Sequence, residues 1–335
     1  FYDHLKENFD IVLVTDLRGA TFINKKKYKF EIIKSPRLSF SFFTFPLTLI
    51  KFFVSIFSSF FFLKKNKINF IIGTGGYMSV PICIAAKILN IKINLFEPNM
   101  VIGRANKFLL KFSENFFCYS NEIINFPMKH AGKIRVIDHI LRKEIYDENL
   151  IKENETSSII TILILGGSQG AKFFDKNLKN SIVNLSKKYK IKVFHQSSSS
   201  NFKDLELFYK ENQIINHLFN FEENIFKYIR QSNLAITRAG ASTLTELTFF
   251  SVPFIAIPYK FATDNHQQEN ANYYLKKDCC WMLKEEDCDE SKLTALLLSI
   301  IQNKEDFLKK KKGLKKISYQ NNFNNVNEKL IGFFI

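Results

Sequence analysis

Short apolar runs, each the length of one strand, alternate with longer amphipathic stretches along almost the whole chain. Such alternation favours parallel sheets with helices on both faces. The runs are Asp10–Thr15, Phe30–Ile33, Ile68–Gly73, Lys92–Glu97, Phe116–Tyr119, Ile134–Ile137, Ile159–Leu165, Lys192–Gln196, Ile214–Phe219, Leu234–Thr237, Pro253–Pro258 and Cys280–Leu283. The sequence therefore predicts an α/β protein.

A polar segment rich in Glu, Asn and Lys interrupts this alternation between Asp147 and Ser158. A chain of 335 residues is long enough for two domains with separate cores. We therefore expect two doubly wound domains that face each other across a cleft. The expected divisions are an N-terminal domain over 1–146, a linker over 147–158, a C-terminal domain over 159–317 and a tail over 318–335, whose short helix, Glu328 to Phe334, crosses back to the first domain.

The formal net charge of +16 indicates anionic partners, such as nucleic acid, a lipid surface or a phosphorylated substrate. A chain-wide bias toward Lys, Asn, Ile and Phe is an alternative source of this basicity. A nucleic-acid-binding protein would need its Lys side chains along one face with aromatic platforms. The five cysteines have no C-x-x-C spacing and no His partner at metal-ligand distance, and no signal peptide is recognisable, so we expect reduced thiols in a cytoplasmic protein.

The stretch from Asn233 to Tyr274 carries the strongest functional signal. An apolar strand leads into the turn Arg238-Ala239-Gly240-Ala241-Ser242-Thr243 and then into a helix, where unpaired amides and the helix dipole favour an anion. Glu246 follows one helical turn later, although Thr243 to Glu246 also fits a capping box. A polar cluster, Asp264 to Ala271, follows the next strand, and amides there suit sugar hydroxyls. The combination predicts a nucleotide-sugar site.

Two more Gly-rich turns follow predicted strands. Gly166-Gly167-Ser168-Gln169-Gly170 also matches the G-x-S-x-G motif of α/β-hydrolases, which leaves a hydrolase using Ser168 as an alternative. Gly73-Thr74-Gly75-Gly76-Tyr77 lacks the third glycine of a dinucleotide fingerprint, so it is interpreted as a phosphate cradle. His195-Gln196 ends a strand at the predicted cleft edge.

The segment Leu38 to Leu63 is apolar, with Lys51 and Pro46 inside it. It is long enough to span a membrane, but a buried helix and a surface-docked helix are alternatives. We favour a crossover helix whose Phe-rich edge lies on an anionic bilayer, flanked by Lys64, Lys65 and Lys67.

The Arg238–Thr243 turn with Glu246, and His266-Gln267-Gln268 with Asn270-Ala271, resemble the donor site of the MurG family of N-acetylglucosaminyltransferases. The similarity extends to the turn at Gly166, to Gly75–Pro81, and to Glu97-Pro98-Asn99 with Gly103 and Asn106. The resemblance implies a GT-B fold of two Rossmann-like domains and an inverting transfer of N-acetylglucosamine from UDP-N-acetylglucosamine to the C4 hydroxyl of lipid I, which yields lipid II. A glycosyltransferase acting on another lipid, such as diacylglycerol, is the alternative.

The resemblance also implies roles for individual residues. The donor is expected to contact Arg142, Ser168, Gln169, Phe221, Ala241, Ser242, Thr243, Glu246, Gln267 and Gln268. The acceptor is expected to contact Gly75, Gly76, Tyr77, Glu97 and Asn99, with Glu97 as the candidate base. We expect no cofactor and no metal, because Asp287-Cys288-Asp289, which imitates a metal-binding D-x-D motif, is better explained by Asp289 capping a helix. We expect no nucleic-acid partner, and we expect a peripheral enzyme on the cytoplasmic face of the inner membrane.

Two features depart from the family. Ser197 to Ser200 stand where a glycine is usual, and Asp138 to Arg142 match the family's Gly-Asn-Pro-Val-Arg pattern only at Arg142. Phe1 to Glu7 resembles the end of a helix. The resemblance therefore implies that a strand and a Gly-rich loop, with a His important for catalysis or acceptor binding, precede residue 1.

Overall fold

The structure is a computed structural model that describes residues 1–21, 23–35, 45–148 and 159–335. It divides into two compact units. Unit 1 contains Phe1–Ile137 and Val326–Ile335, and unit 2 contains Asp138–Asn325. Most of the predicted linker, 149–158, lies outside the described residues.

Unit 1 contains two parallel sheets. Strands β1 and β2 pair with each other, and β3, β4, β5 and β6 pair in chain order. The strands are β1 Leu13–Thr15, β2 Phe30–Ile32, β3 Phe70–Gly73, β4 Lys92–Glu97, β5 Asn115–Cys118 and β6 Ile134–Val136. The helices of its first segment are α1 Tyr2–Leu5, α2 Phe45–Lys65, α3 Gly76–Ile88 and α4 Arg104–Leu109.

Unit 2 contains one parallel sheet of six strands in the order β12-β11-β10-β7-β8-β9. The strands are β7 Ile160–Leu165, β8 Ile191–Gln196, β9 Ile215–Phe219, β10 Leu234–Thr237, β11 Phe254–Ala256 and β12 Cys280–Met282. The remaining helices are α5 Lys143–Glu148, α6 Gly167–Asn177, α7 Lys179–Ser186, α8 Phe202–Glu211, α9 Phe226–Arg230, α10 Ala241–Phe249, α11 His266–Lys276, α12 Glu290–Gln302, α13 Lys304–Ser318 and α14 Phe323–Ile331, which includes the border between the units.

The central strands of the sheet in unit 2 are buried on both faces. Alternate residues of β7 enter different cores: Ile162 and Ile164 pack into one, and Leu163 and Leu165 into the other. Successive strand side chains point to opposite faces, so a strand covered by helices on both sides must be apolar at every position. This burial explains why the central strands β7 and β10 appear as continuous apolar runs.

Each strand expected from the sequence is present, with ends shifted by at most three residues. The C-terminal helix differs more, since α14 begins at Phe323 and not at Glu328. The Asn322 side chain accepts a hydrogen bond from the Asn325 amide at 2.9 Å, which is the geometry of an N-cap. The Asn-rich segment therefore starts the helix earlier than its composition indicated.

Helix α2 is the one helix, among the described residues, that is long and apolar enough to cross a membrane. Its most apolar window is only 22% buried. Six large apolar side chains on it are more than half exposed, namely Leu47, Ile50, Phe53, Val54, Phe57 and Phe61. Residues 38–44 of the predicted apolar segment lie outside the described residues.

Candidate active site

The turn between β10 and α10 forms the centre of the candidate donor site in unit 2. Gly240 is the N-cap of α10, and no side chain of the described residues caps the helix there. A Cβ atom at Gly240 would meet nothing within 4 Å, so the space beside the turn is open. The amides of Ala241, Ser242 and Thr243 form the first turn and are available to an anion.

The capping-box interpretation of Thr243 and Glu246 is wrong. It required Thr243 to be the N-cap, whereas α10 begins two residues earlier, after Gly240. Thr243 therefore lies inside the first turn, and Glu246 lies in the second. The carboxylate of Glu246 therefore does not cap α10 and can accept hydrogen bonds from a ligand.

Glu246 and Arg142 influence each other electrostatically. Burial raises the pKa of Glu246 to about 7, and the positive charge of Arg142 opposes this shift. The Arg142 guanidinium also donates to the carbonyl of Glu223 at 2.8 Å. The structure thus brings three elements together: the segment before α5, helix α10 and the loop after β9.

The loop after β9 carries Phe221, which is 78% exposed. The side-chain NH2 group of Gln196 donates to the carbonyl of Asn220 at 3.2 Å, and that of Asn220 donates to the carbonyl of Ser197 at 3.0 Å. Together with the Arg142 bond to Glu223, these contacts fix both sides of Phe221. An exposed aromatic ring on a fixed loop is suited to stacking on a base.

The predicted phosphate turn at Gly166 begins helix α6 in unit 2. Gly167 has a positive φ of 59°, and its amide donates to the side-chain oxygen of Gln196 at 2.9 Å. Gln196 therefore links this turn to the Phe221 loop. Ser168 and Gln169 lie in the first turn of α6, and their side chains are outside the described part of the structure.

His195 is fully buried and lies beneath this surface, not at an open edge. Its Nδ1 is 2.9 Å from the Tyr209 hydroxyl and its Nε2 is 3.4 Å from Asp175, and burial lowers its pKa. Asp175 also accepts from the backbone amide and hydroxyl of Ser198 at 3.1 and 2.7 Å. The serine loop, Ser197 to Ser200, is therefore held by a buried carboxylate.

The polar cluster at the start of α11 also reaches this region. Gln267 accepts from the Tyr259 amide at 2.9 Å, which leaves its NH2 group to donate to a ligand. Gln268 donates to Asn272 at 3.2 Å. Buried Asn270 donates to the carbonyl of Ala239 at 3.0 Å and so ties α11 to the turn before α10.

Arg238 has a structural role that its position in the sequence does not indicate. Its guanidinium is buried, donates to Glu285 at 2.7 Å and to the carbonyl of Ile257 at 3.1 Å, and lies 4.8 Å from the ring centre of Phe173. It therefore connects the donor turn to β11 and α6. An Arg beside a Gly turn is a weak signal, because only the fold reveals its distant partners.

In unit 1, the candidate acceptor loop lies between β3 and α3. Gly75 and Gly76 have positive φ values of 82° and 75°. A Cβ atom at Gly75 would lie 3.2 Å from the Asn106 side chain, whereas one at Gly76 would meet nothing within 4 Å. One face of this loop is therefore packed and the other is open.

Glu97 organises the residues beside this loop. Its Oε1 accepts from the Asn99 side chain at 2.9 Å and the Asn99 amide at 3.3 Å. Its Oε2 accepts from the Gly103 amide at 2.8 Å and from Asn106 at 3.0 Å. The carboxylate is only 5% exposed and already accepts four hydrogen bonds.

The D-x-D-like pair is engaged in local contacts. Asp289 accepts from the Lys292 amide at 2.8 Å as the N-cap of α12, as expected, and Asp287 pairs with the Lys292 side chain at 2.8 Å. The five cysteines are free and buried.

Comparisons with known proteins place these features in a family. The model of the glycosyltransferase family 28 N-terminal domain matches residues 1–118, and that of the family 28 C-terminal domain matches residues 161–327. A UDP-N-acetylglucosamine–N-acetylmuramyl-(pentapeptide) pyrophosphoryl-undecaprenol N-acetylglucosamine transferase of Pelagibacter ubique is 46% identical over 98% of this chain and 92% of its own length. The transferase of the same name from Rickettsia prowazekii is 31% identical over 90% and 86%.

The solved structure of Acinetobacter baumannii MurG is similar in fold, with a TM-score of 0.76 and 20% identity over 99% of this chain and 92% of that chain. The expected GT-B fold with two Rossmann-like domains is confirmed. The matched ranges include both the Gly75-Gly76 loop and the turn at Gly240. The chain therefore belongs to glycosyltransferase family 28 and, within it, to the MurG family.

Proposed function

We propose that the protein transfers N-acetylglucosamine from UDP-N-acetylglucosamine to the C4 hydroxyl of the muramoyl-pentapeptide on undecaprenyl diphosphate. This reaction converts lipid I to lipid II in peptidoglycan synthesis, on which cell shape and division depend. The 46% identity over nearly the whole chain to a transferase named for this reaction carries the proposal. Membership in a glycosyltransferase family removes the α/β-hydrolase interpretation of Ser168.

The donor's diphosphate binds at the start of α10. The amides of Ala241, Ser242 and Thr243 point at the negative charge, and the helix dipole adds to their effect. Arg142 supplies a full positive charge nearby, as its effect on the pKa of Glu246 indicates. Ser168 and Gln169, at the start of α6, complete the phosphate contacts. Loss of one hydrogen-bond donor that points at the developing charge typically costs about 3–4 kcal/mol of transition-state stabilisation.

The rest of the donor is held by residues around this turn. Glu246 accepts the two ribose hydroxyls, for which its carboxylate has enough lone pairs. Phe221 and its backbone contact uracil. Gln267 and Gln268 form hydrogen bonds with the hydroxyls and the acetamido group of the sugar.

The acceptor binds in unit 1. The open face of Gly76 lets the acceptor's diphosphate approach the first amides of α3, with Tyr77 beside it. Glu97 holds Asn99, whose side chain faces the acceptor sugar in this proposal. The four hydrogen bonds that Glu97 already accepts favour an organising role for this carboxylate over the role of the base.

The inverting transfer is a single in-line displacement. The C4 hydroxyl of the acceptor attacks the anomeric carbon, the bond to the UDP oxygen breaks, and a base removes the hydroxyl proton. A positioned base contributes about 10²–10⁴-fold to the rate. The α10 amides and Arg142 stabilise the charge that develops on the departing UDP, and the proposal needs no metal or cofactor.

The protein works as a peripheral enzyme on the cytoplasmic face of the inner membrane. The exposed apolar edge of α2 lies on the bilayer, and Lys64, Lys65 and Lys67 follow at its C-terminal end. Each Lys near an anionic surface contributes about 1 kcal/mol to the free energy of membrane binding. The proposal includes no nucleic-acid partner.

The test is an incubation of the protein, expressed from its full gene, with labelled UDP-N-acetylglucosamine and lipid I. Labelled lipid II is the expected product. If label enters a different lipid, such as a diacylglycerol glycoside, and lipid I is not used, the proposed acceptor is wrong. If the protein does not bind the UDP-sugar, the proposal as a whole fails.

A further inference from the structure

Asp16 and Arg18 lie immediately after β1 in unit 1 and are not among the proposed donor or acceptor contacts. Asp16 is 7% exposed and accepts hydrogen bonds from two segments. Its Oδ1 accepts from the Gly19 amide at 2.7 Å, and its Oδ2 accepts from the hydroxyl of Tyr77. A buried carboxylate after β1 is thus joined to the acceptor loop, 61 residues later in the chain.

Arg18 completes this group. Its guanidinium is 3.3 Å from Asp16 Oδ2 and lies over the Tyr77 ring, 4.4 Å from the ring centre. Ion pairing and stacking on an aromatic face together fix the plane of the guanidinium. The turn itself is constrained, because a Cβ atom at Gly19 would lie 2.1 Å from the Thr15 hydroxyl oxygen.

The group exposes its positive charge and buries its negative one. The side chain of Arg18 is 46% exposed, whereas that of Asp16 is 10% exposed. Guanidinium N–H groups that do not bond to Asp16 therefore face solvent beside the Gly75-Gly76-Tyr77 loop. A planar guanidinium with free N–H donors is the side chain best matched to phosphate oxygens.

We propose that Arg18 binds a phosphate of the acceptor's diphosphate, and that Asp16 and Tyr77 are positioning residues that hold its guanidinium toward the open side of Gly76. This inference rests on the proposed function, which provides a diphosphate-linked acceptor. The backbone amides of the loop and the Arg18 side chain then contact the same anion from two sides.

The test measures the KM for each substrate with a water-soluble acceptor that carries the diphosphate on a short prenyl chain. Arg18→Gln should raise the acceptor KM about tenfold or more, the effect of losing a charge-assisted hydrogen bond, and leave the donor KM unchanged. Arg18→Lys keeps the charge but loses the planar fork. Its acceptor KM should lie between those of the unmodified protein and Arg18→Gln. The matched control is Lys87→Gln, which removes an equal charge from the exposed far end of α3 and should change neither KM.

Asp16→Asn tests the positioning role. It should raise the acceptor KM while Arg18 is present, and it should add nothing in the Asp16→Asn/Arg18→Gln double variant. If the thermal midpoint shows that Arg18→Gln folds poorly, the Arg18→Lys and Asp16→Asn variants replace it in the test. A raised acceptor KM with an unchanged donor KM in these variants then supports the inference.

An acceptor KM in Arg18→Gln equal to that of Lys87→Gln would overturn the inference and leave the proposed function intact. An equal rise in both KM values would also overturn it, because that indicates a general structural effect. Absence of transfer by the unmodified protein with this acceptor and with lipid I would overturn both.

Discussion

Polar side chains that contact loop backbone determine the shape of both candidate sites. Asn106, which is fully buried, donates to the carbonyl of Phe96 at 3.0 Å and to Glu97. Asn270 does the same for the turn before α10 through the carbonyl of Ala239. A buried polar group that loses its partner costs about 1–3 kcal/mol, so these side chains hold their loops in one conformation.

We expect the ionisation of Glu246 to make donor binding depend on pH. Its pKa of about 7 lies above the ordinary value of 4.5, so the carboxyl is largely neutral below that pH and charged above it. A neutral carboxyl accepts only part of the ribose hydrogen bonds. We therefore expect the KM for the UDP-sugar to rise as the pH falls from about 8 to about 6, a range in which the diester donor keeps its charge.

Glu246→Gln should remove this pH dependence, and Glu246→Ala should raise the donor KM about tenfold or more at every pH. Glu286→Gln, an exposed carboxylate on the same unit, is the control. A donor KM that stays constant with pH in the unmodified protein would contradict the proposed ribose contact.

Glu97→Gln separates an organising role from a catalytic one. In this variant an NH2 group replaces one carboxylate oxygen, each of which accepts two hydrogen bonds in Glu97. The NH2 group cannot accept them, so two N–H donors lose their partner. We expect the free energy of unfolding in urea to fall by about 1–3 kcal/mol and the acceptor KM to rise, with an unchanged pH–rate profile. Glu114→Gln, at an exposed carboxylate, should change neither quantity.

The opposite result would identify Glu97 as the base. In that case kcat would fall by about 10²–10⁴-fold, stability would be preserved, and the acidic limb of the pH–rate profile would disappear.

At the scale of elements, α13 illustrates how one helix is fixed against the sheet of unit 2. Lys310 is buried and pairs with Asp278 at 2.7 Å and with Asp306 at 3.2 Å. The indole of Trp281, in β12, donates to Asp306 at 2.9 Å. Gly313 faces the turn before β12, where a Cβ atom would lie 2.8 Å from the sulfur of Cys279.

Gly313→Ala should therefore destabilise the protein, although alanine normally stabilises a helix interior by about 1 kcal/mol relative to glycine. Overpacking typically costs about 1–3 kcal/mol, which exceeds that gain. The measurement is urea unfolding of Gly313→Ala in the native background and in a Cys279→Ala background. The smaller side chain should remove most of the penalty, and an equal loss in both backgrounds would contradict the close contact.

At the scale of the whole molecule, positive charge and exposed apolar surface together favour attachment to an anionic bilayer. The net charge is +16, and the exposed side of α2 includes Phe53, Phe57 and Phe61. In the proposed docking, the charge attracts the protein to the surface, and the Phe rings bury apolar area in it. Neither contribution requires a spanning helix.

Phe57→Glu should reduce binding to anionic vesicles about tenfold or more, since burying a Phe ring contributes roughly 1.5–3 kcal/mol. The measurement is co-sedimentation with vesicles at low and high salt, and binding should weaken as salt rises. Leu207→Glu is the matched control, because Leu207 is a similarly exposed apolar residue of α8 in unit 2. Equal loss in both variants, or full binding in Phe57→Glu, would contradict docking through α2.

Much of the fold could be predicted because burial restricts which residue types a strand or helix can contain. A strand covered on both faces, such as Ile160–Leu165, must be apolar throughout, and a Gly turn before a helix marks a place where backbone amides are open. The start of α10 was harder to predict, since Thr243 and Glu246 satisfy a local capping rule that Gly240 overrides.

The sequence by itself determined the α/β alternation, the strands, the positions of the Gly turns and the family. Tertiary structure alone decided which polar groups meet: Asp16 with Tyr77, Arg238 with Glu285, and Glu97 with four N–H donors. The physical reason is that apolar periodicity and turn chemistry are local properties of the chain. Pairings between distant residues depend on the crossovers that bring strand ends together.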